Sequence, residues 1–130
     1  MLVKTSAEMV NEAKEKIENL SVEEVAAEMD KGDVLLVDLR ESDELQVHGV
    51  IPGAVYVPRG ILEFLADPTS SYHRSEFNPT GRVILHCAVG ARSALAADTL
   101  QQMGYTNVAH LDGGMIAWKK AGQPIEQLSS

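Results

Sequence analysis

Four short runs of strand-forming residues recur along the chain, and each ends at a polar or reactive residue or a proline. They are Val34-Leu35-Leu36-Val37 before Asp38, Ala54-Val55-Tyr56-Val57 before Pro58, Arg82-Val83-Ile84-Leu85-His86 before Cys87 and, more weakly, 107–111 before Asp112. A run of strand length that is apolar on both faces suits a strand covered by helices on either side, as in a parallel sheet. Stretches of helical character at 61–66, 92–103 and 115–121 separate most of them. Alternation of this kind predicts an α/β domain with a mostly parallel sheet.

The N-terminal third adds two helix starts. Thr5 and Glu8 form a capping-box pair, followed by Val10, Ala13, Ile17 and Leu20 on one helical stripe. Ser21 and Glu24 form a second box, opening a helix that stops at Lys31-Gly32-Asp33, and the residues just before Ser21 allow a brief strand. The segment 67–81, rich in Pro, Ser, Asn and Gly, reads as a loop. With 130 residues, no internal repeat and no low-complexity tract, one domain is expected.

In an open parallel sheet, ligands bind beyond the carboxyl ends of the strands. That rule nominates 38–41, 58–60, 87–92 and 112–114 as segments that converge on one edge. The strongest of them is His86-Cys87-Ala88-Val89-Gly90-Ala91-Arg92-Ser93-Ala94, where a strand ends, the only cysteine follows, and a glycine-containing turn opens a helix. Free amides of such a turn and of the first helical turn point back toward the sulfur and stabilise negative charge on it. The cysteine alone would more often be a small buried hydrophobe; its setting makes it a nucleophile candidate.

The remaining composition narrows the partners. A formal net charge of -8 disfavours nucleic acid and anionic membrane surfaces, and repels small anions unless arginines reverse the field locally. A single cysteine excludes an internal disulfide, no leader-like N-terminal stretch is visible, and no apolar run approaches the roughly 18 residues of a membrane span. A cytoplasmic protein is expected. His48, His73, His86 and His110 have no metal-ligand spacing among themselves or with Cys87, so no zinc site is expected.

The loop 87–93 resembles the active-site loop of the rhodanese-like family, whose domains move sulfur through a cysteine persulfide. Three further segments match that family in the same order. Val34 to Glu41 resembles its V-D-x-R-E strand end, Gly49-Val50-Ile51-Pro52-Gly53-Ala54 its G-H-I-P-G-A turn, and Leu111-Asp112-Gly113-Gly114-Met115-Ile116-Ala117-Trp118 with Ala121-Gly122-Gln123-Pro124 its closing signature. One departure is Val50, where the family usually has histidine; His48 lies two places earlier. The resemblance implies a three-layer domain over 17–126, with 1–16 as an added N-terminal helix that packs on the domain or against a protein partner. It implies Cys87 as catalytic residue, a small sulfur donor and a thiol or cyanide acceptor as partners, and no metal or organic cofactor.

Cysteine-dependent phosphatases resemble H-C-x-x-G-x-x-R-S/T, with five residues between cysteine and arginine. Here only Ala88, Val89, Gly90 and Ala91 intervene before Arg92. The shorter ring leaves less room for a tetrahedral phosphoryl group, which favours sulfur transfer over a phosphatase or arsenate reductase; a non-enzymatic sulfur carrier or interaction module is the other alternative. On this reading the amides of 88–92 cradle the outer sulfur. Arg92 either binds the leaving anion or closes the loop on a carboxylate, and Arg59 offers a second positive charge at the mouth. Asp38, Arg40 and Ser93 support the site, with the Asp38 carboxylate tying down nearby loop amides. His86 turns away by strand alternation, Trp118 anchors the core, and 112–114 packs beneath the loop. Ala88 and Val89 make the loop less basic than in thiosulfate-handling family members, which points to a neutral or larger persulfide donor.

Overall fold

The computed structural model describes residues 2–128. The chain runs through α1 (Ser6–Lys16), β1 (Glu18–Leu20), α2 (Val22–Lys31), β2 (Leu35–Asp38), α3 (Ser42–His48) and β3 (Val55–Tyr56). A 3₁₀ turn (Arg59–Ile61) then leads into α4 (Leu62–Ala66), followed by β4 (Val83–His86), α5 (Ala91–Gln102), β5 (Val108–Leu111) and α6 (Gly114–Lys120). The strands form a five-stranded sheet in the order β1-β5-β4-β2-β3, with every pairing parallel.

Period-two alternation along the buried strands creates the two outer layers. Leu36, Ile84, Ala109 and Leu111 face one side, where Val22 and Val25 of α2, Ile51, and Met115 and Trp118 of α6 cover them. Val37, Val83, Leu85 and Val108 face the other, against Ala13 of α1, Leu62 and Ala66 of α4, and Ala94, Ala97 and Leu100 of α5. Strands buried on both faces need no polar register, which is why their sequences are continuously apolar. Trp118 is a core residue as expected, its indole N–H donating to the Pro124 carbonyl at 2.8 Å. Both capping boxes form, at Thr5/Glu8 and Ser21/Glu24, and such caps each contribute about 1 kcal/mol.

Three local expectations are corrected. The strand expected over 54–57 shortens to the two residues of β3, which pairs only with β2 at the sheet edge. The helix expected over 61–66 begins with the 3₁₀ turn after Pro58 and becomes α-helical at Leu62. The helix α3 was not foreseen, because only Leu45 of its seven residues is buried and no apolar stripe announces it. Segment 67–81 is built of turns, and α1 lies against α5 with Ala13 and Ile17 in the core. The turn where Val50 replaces the usual histidine is held by backbone instead, in reciprocal 2.8 Å hydrogen bonds between Val50 and Glu126.

Candidate active site

Cys87 follows β4, the central strand, and is completely buried. The chain turns at Gly90, whose φ of 96° lies in the left-handed region, and enters α5 at Ala91. This conformation aims two amides at the sulfur: Gly90 N–H donates to Cys87 Sγ at 3.2 Å and Ser93 N–H at 3.4 Å. The carbonyls of the same loop point the other way. Met115 N–H donates to the Cys87 carbonyl at 2.9 Å and Ile116 N–H to that of Ala88 at 3.1 Å, so the start of α6 holds the loop from beneath. The expected packing of 112–114 under the loop is therefore present. Among the described residues, the amides of Ala88, Val89, Ala91 and Arg92 have no partner in the chain, leaving four further donors in the same loop.

Arg92 closes the loop. Its two terminal nitrogens grip Glu44 of α3 at 2.7 and 2.9 Å, the carboxylate-pairing alternative of the two anticipated. The Arg92 hydrogen bonds hold the Glu44 carboxyl down to about 2, assisted by the Glu41 amide and the charges of Arg92 and Arg40, against partial burial. Glu44 raises the Arg92 guanidinium in turn. A fork-to-fork pair of this kind fixes orientation as well as charge.

Asp38 and Arg40 form a second, buried pair at the end of β2. Asp38 Oδ1 accepts from the Arg40 amide at 3.1 Å and from Nε at 3.0 Å, and Oδ2 accepts from Nη2 at 2.8 Å. Arg40, only 1% exposed, also donates to the Gly49 carbonyl at 2.8 Å, tying the β2 end to the α3–β3 turn. This carboxylate does tie down a loop amide, that of Arg40 itself. His86 sits next to Cys87 with its Nδ1 3.4 Å from the Cys87 carbonyl and its Nε2 3.6 Å from Asp38 Oδ2. Burial lowers its proton affinity, partly opposed by the Asp38 charge. No hydrogen bond links it to the sulfur, in keeping with the alternation argument.

Arg59 departs from expectation. Its guanidinium pairs with Glu63 one turn along at 2.9 Å and reaches Thr99 on α5 at 3.5 Å. Thr99 is two helical turns from the start of α5, so the charge is neutralised away from the loop rather than offered at its mouth. Ser93 does more than support: its hydroxyl lies 3.5 Å from Cys87 Sγ and 2.8 Å from Nδ1 of His110, whose Nε2 is 2.7 Å from Asn19 Oδ1. Sequence reasoning missed Glu44, His110 and Asn19. The available signals were a histidine inside the apolar run of β5 and an acidic residue three places beyond Glu41 in a capping-box spacing.

A cleft of about 130 Å³ beside the loop is lined by Arg40, Glu44, His48, Ala88, Met115, Ile116 and Lys119. Cys87 lines neither this cleft nor the two of about 410 Å³, one between α2 and Trp118 and the other between α1 and the start of α5. Size does not mark the chemistry here, because the amides and the thiol do. No group of three or more His, Cys, Asp or Glu among the described residues is arranged to hold a metal ion, and no helix is long and apolar enough to cross a membrane.

A central strand followed by a buried cysteine, a four-residue loop and a helix start together form a site whose amides can stabilise negative charge on sulfur. Residues 21–121 match the rhodanese-like domain family, and the chain belongs to it. It is 38% identical over 96 residues to a sulfurtransferase of Allochromatium vinosum, covering 74% of this chain and 81% of that one. Among solved structures it is similar to a Rhodopseudomonas palustris protein of unknown function described as a possible tyrosine phosphatase, with TM-score 0.91, 41% identity and 97% coverage of both chains. It is also similar to the polysulfide-sulfur transferase homodimer of Wolinella succinogenes, with TM-score 0.75, 29% identity and coverage of 92% and 85%. The family match and the Allochromatium and Wolinella relatives support sulfur transfer as the general activity.

Proposed function

We propose that the chain is an enzyme that transfers a sulfane sulfur through a persulfide on Cys87. The observation that carries this reading is the loop itself: two amides on Sγ, four unpartnered amides in the same turn, and only four residues between Cys87 and Arg92. In the first step the Cys87 thiolate attacks the outer sulfur of a donor. The Sγ–S bond forms, the donor's S–S bond breaks, and its electron pair leaves on sulfite or on a thiolate. The outer sulfur, now negative, lies among the free amides of 88–92, which are preorganised donors. In the second step a thiol or cyanide attacks that sulfur and Cys87 departs as thiolate, so no external oxidant or reductant is needed.

The donor is a neutral or larger persulfide rather than thiosulfate. Arg92 is neutralised by Glu44 and Arg59 by Glu63, so neither supplies free positive charge. Val89 at the loop tip is 55% exposed and Ile116 beside it 51%, giving the mouth an apolar rim. The domain boundary placing 1–16 outside the family core and a cytoplasmic location belong to the same proposal.

The name of the Rhodopseudomonas relative raises a phosphatase as the second reading. A phosphatase needs its loop arginine free for the phosphoryl oxygens, and both terminal nitrogens of Arg92 are engaged by Glu44. The test is intact mass after incubation with thiosulfate or glutathione persulfide. Gain of one sulfur, reversed by cyanide and absent in Cys87→Ser, is expected. No adduct with either donor, together with hydrolysis of p-nitrophenyl phosphate, would overturn the assignment. Equal or better loading from thiosulfate would overturn the donor preference alone.

A further inference from the structure

The hydrogen bonds behind Cys87 have only one consistent direction. Asn19 places one side-chain atom 2.9 Å from the Lys14 carbonyl and 3.2 Å from that of Ile17. Carbonyls only accept, so that atom is the amide nitrogen and the other is Oδ1. Oδ1 also only accepts, so Nε2 of His110, 2.7 Å away, carries a hydrogen. His110 is buried, which lowers its pKa to about 4 against the raising influence of Asp112; Lys14, ion-paired with Asp112 at 3.0 Å, lowers it further. The imidazole is therefore neutral near pH 7 and its Nδ1 is a bare acceptor. Ser93 lies 2.8 Å from that nitrogen and must give it the hydroxyl proton. What Ser93 then presents to Cys87 Sγ, at 3.5 Å, is lone pairs alone.

We propose that Asn19 and His110 are positioning residues that lock Ser93 as a hydrogen-bond acceptor toward Cys87, so that its hydroxyl proton is withheld from the sulfur. The lock opposes the amides of Gly90 and Ser93, which favour negative sulfur. A thiol S–H can donate to Ser93 Oγ; a thiolate meets an oxygen lone pair there. Two of the three elements of this device come from outside the loop, and Asn19, which also binds two carbonyls at the end of α1, precedes the family-matched residues. Without Asn19 Oδ1, the His110 hydrogen is free to move to Nδ1, Ser93 then accepts from His110, and its own O–H turns to the sulfur and stabilises the thiolate.

The inference rests on Cys87 being the nucleophile, but its test uses no sulfur donor, so it stands or falls apart from the transfer reaction. Two-bond ¹H–¹⁵N correlation spectra of the full chain at pH 7.5 read the His110 tautomer directly; hydrogen on Nε2 is expected, and hydrogen on Nδ1 overturns the proposal whether or not any variant folds. Iodoacetamide alkylation of the single cysteine is then followed against pH. Asn19→Leu should move the profile to lower pH and raise the rate about ten-fold on its rising limb, the effect of one hydrogen bond to a charged sulfur. The gain should vanish in a Ser93→Ala background. A wild-type-like profile for Asn19→Leu, or a gain that persists without the Ser93 hydroxyl, would refute the lock.

Discussion

Gly114 is where the active loop and α6 meet most closely, and Gly114→Ala isolates what that contact does. Its φ of 59° is left-handed, and a Cβ built there would lie 2.6 Å from the Ala88 carbonyl carbon and oxygen and 2.7 Å from the Cys87 carbonyl oxygen. The obstacles are backbone atoms, so no side chain can swing aside. The left-handed conformation costs an alanine about 1 kcal/mol. Forcing the carbonyls away adds about 1–3 kcal/mol of overpacking, and loss of the Met115 and Ile116 hydrogen bonds about 1 kcal/mol each. The expected total is about 4–6 kcal/mol. Gly122→Ala is the control, since Gly122 has a φ of 74° but no atom within 4 Å of the added carbon. It should lose only the backbone component of about 1 kcal/mol. Urea denaturation of both variants measures the difference, and loading of Cys87 from a persulfide should fall at least ten-fold in Gly114→Ala alone. Equal destabilisation of the two, with normal loading in both, would refute the idea that α6 sets the position of the loop.

Acid should weaken the fold in a defined window. His110 titrates near 4 when folded and near 6.5 unfolded, so the unfolded chain binds more protons between those values and stability falls as pH drops through them. The full loss is about 3 kcal/mol, His86 acts in the same direction, and His110→Gln should flatten the dependence of urea midpoint on pH. Glu44, held near 2 by Arg92, adds a separate loss only below its ordinary value of 4.5. Arg92→Ala should cost about 1 kcal/mol in stability, because the pair is partly solvated, yet slow persulfide formation ten-fold or more by loosening the loop; parallel losses in Tm and rate would contradict that division. Val89→Arg should raise the rate with thiosulfate several-fold by placing a cation at the exposed tip, with the gain shrinking as salt is added. A rate unchanged at low salt would mean that charge does not limit thiosulfate use.

The layers of the fold were legible because buried parallel strands leave a direct trace: 34–37 and 83–86 are apolar on both faces and end at Asp38 and Cys87. The loop was legible for the same reason, since a strand end and a helix start bracket it. What escaped was everything set by distance in sequence. Glu44 meets Arg92 across 48 positions, and Asn19 meets His110 across 91. Neither pair has a periodicity, because each is made by the stacking of β1 on β5 and of α3 beside the loop. Arg59 shows the reverse error: it follows a strand end, yet the 3₁₀ turn places Glu63 where it captures the guanidinium first.

These pairings bear on how a chain of net charge -8 could hold a negative sulfur. Free arginines would have been the direct solution, but the three named for the site are each paired with a carboxylate. Arg40 is bound to Asp38, Arg92 to Glu44 and Arg59 to Glu63. Each pair is locally neutral and serves geometry. What remains to stabilise charge at Cys87 is a set of backbone dipoles, which have no net charge and act only over a few ångströms. Such a site cannot draw anions from solution, but it can hold a negative sulfur once that sulfur is covalently attached. Attraction at a distance and stabilisation at contact are therefore separated in this molecule, and it is the second that Gly90, Ser93 and the start of α5 supply.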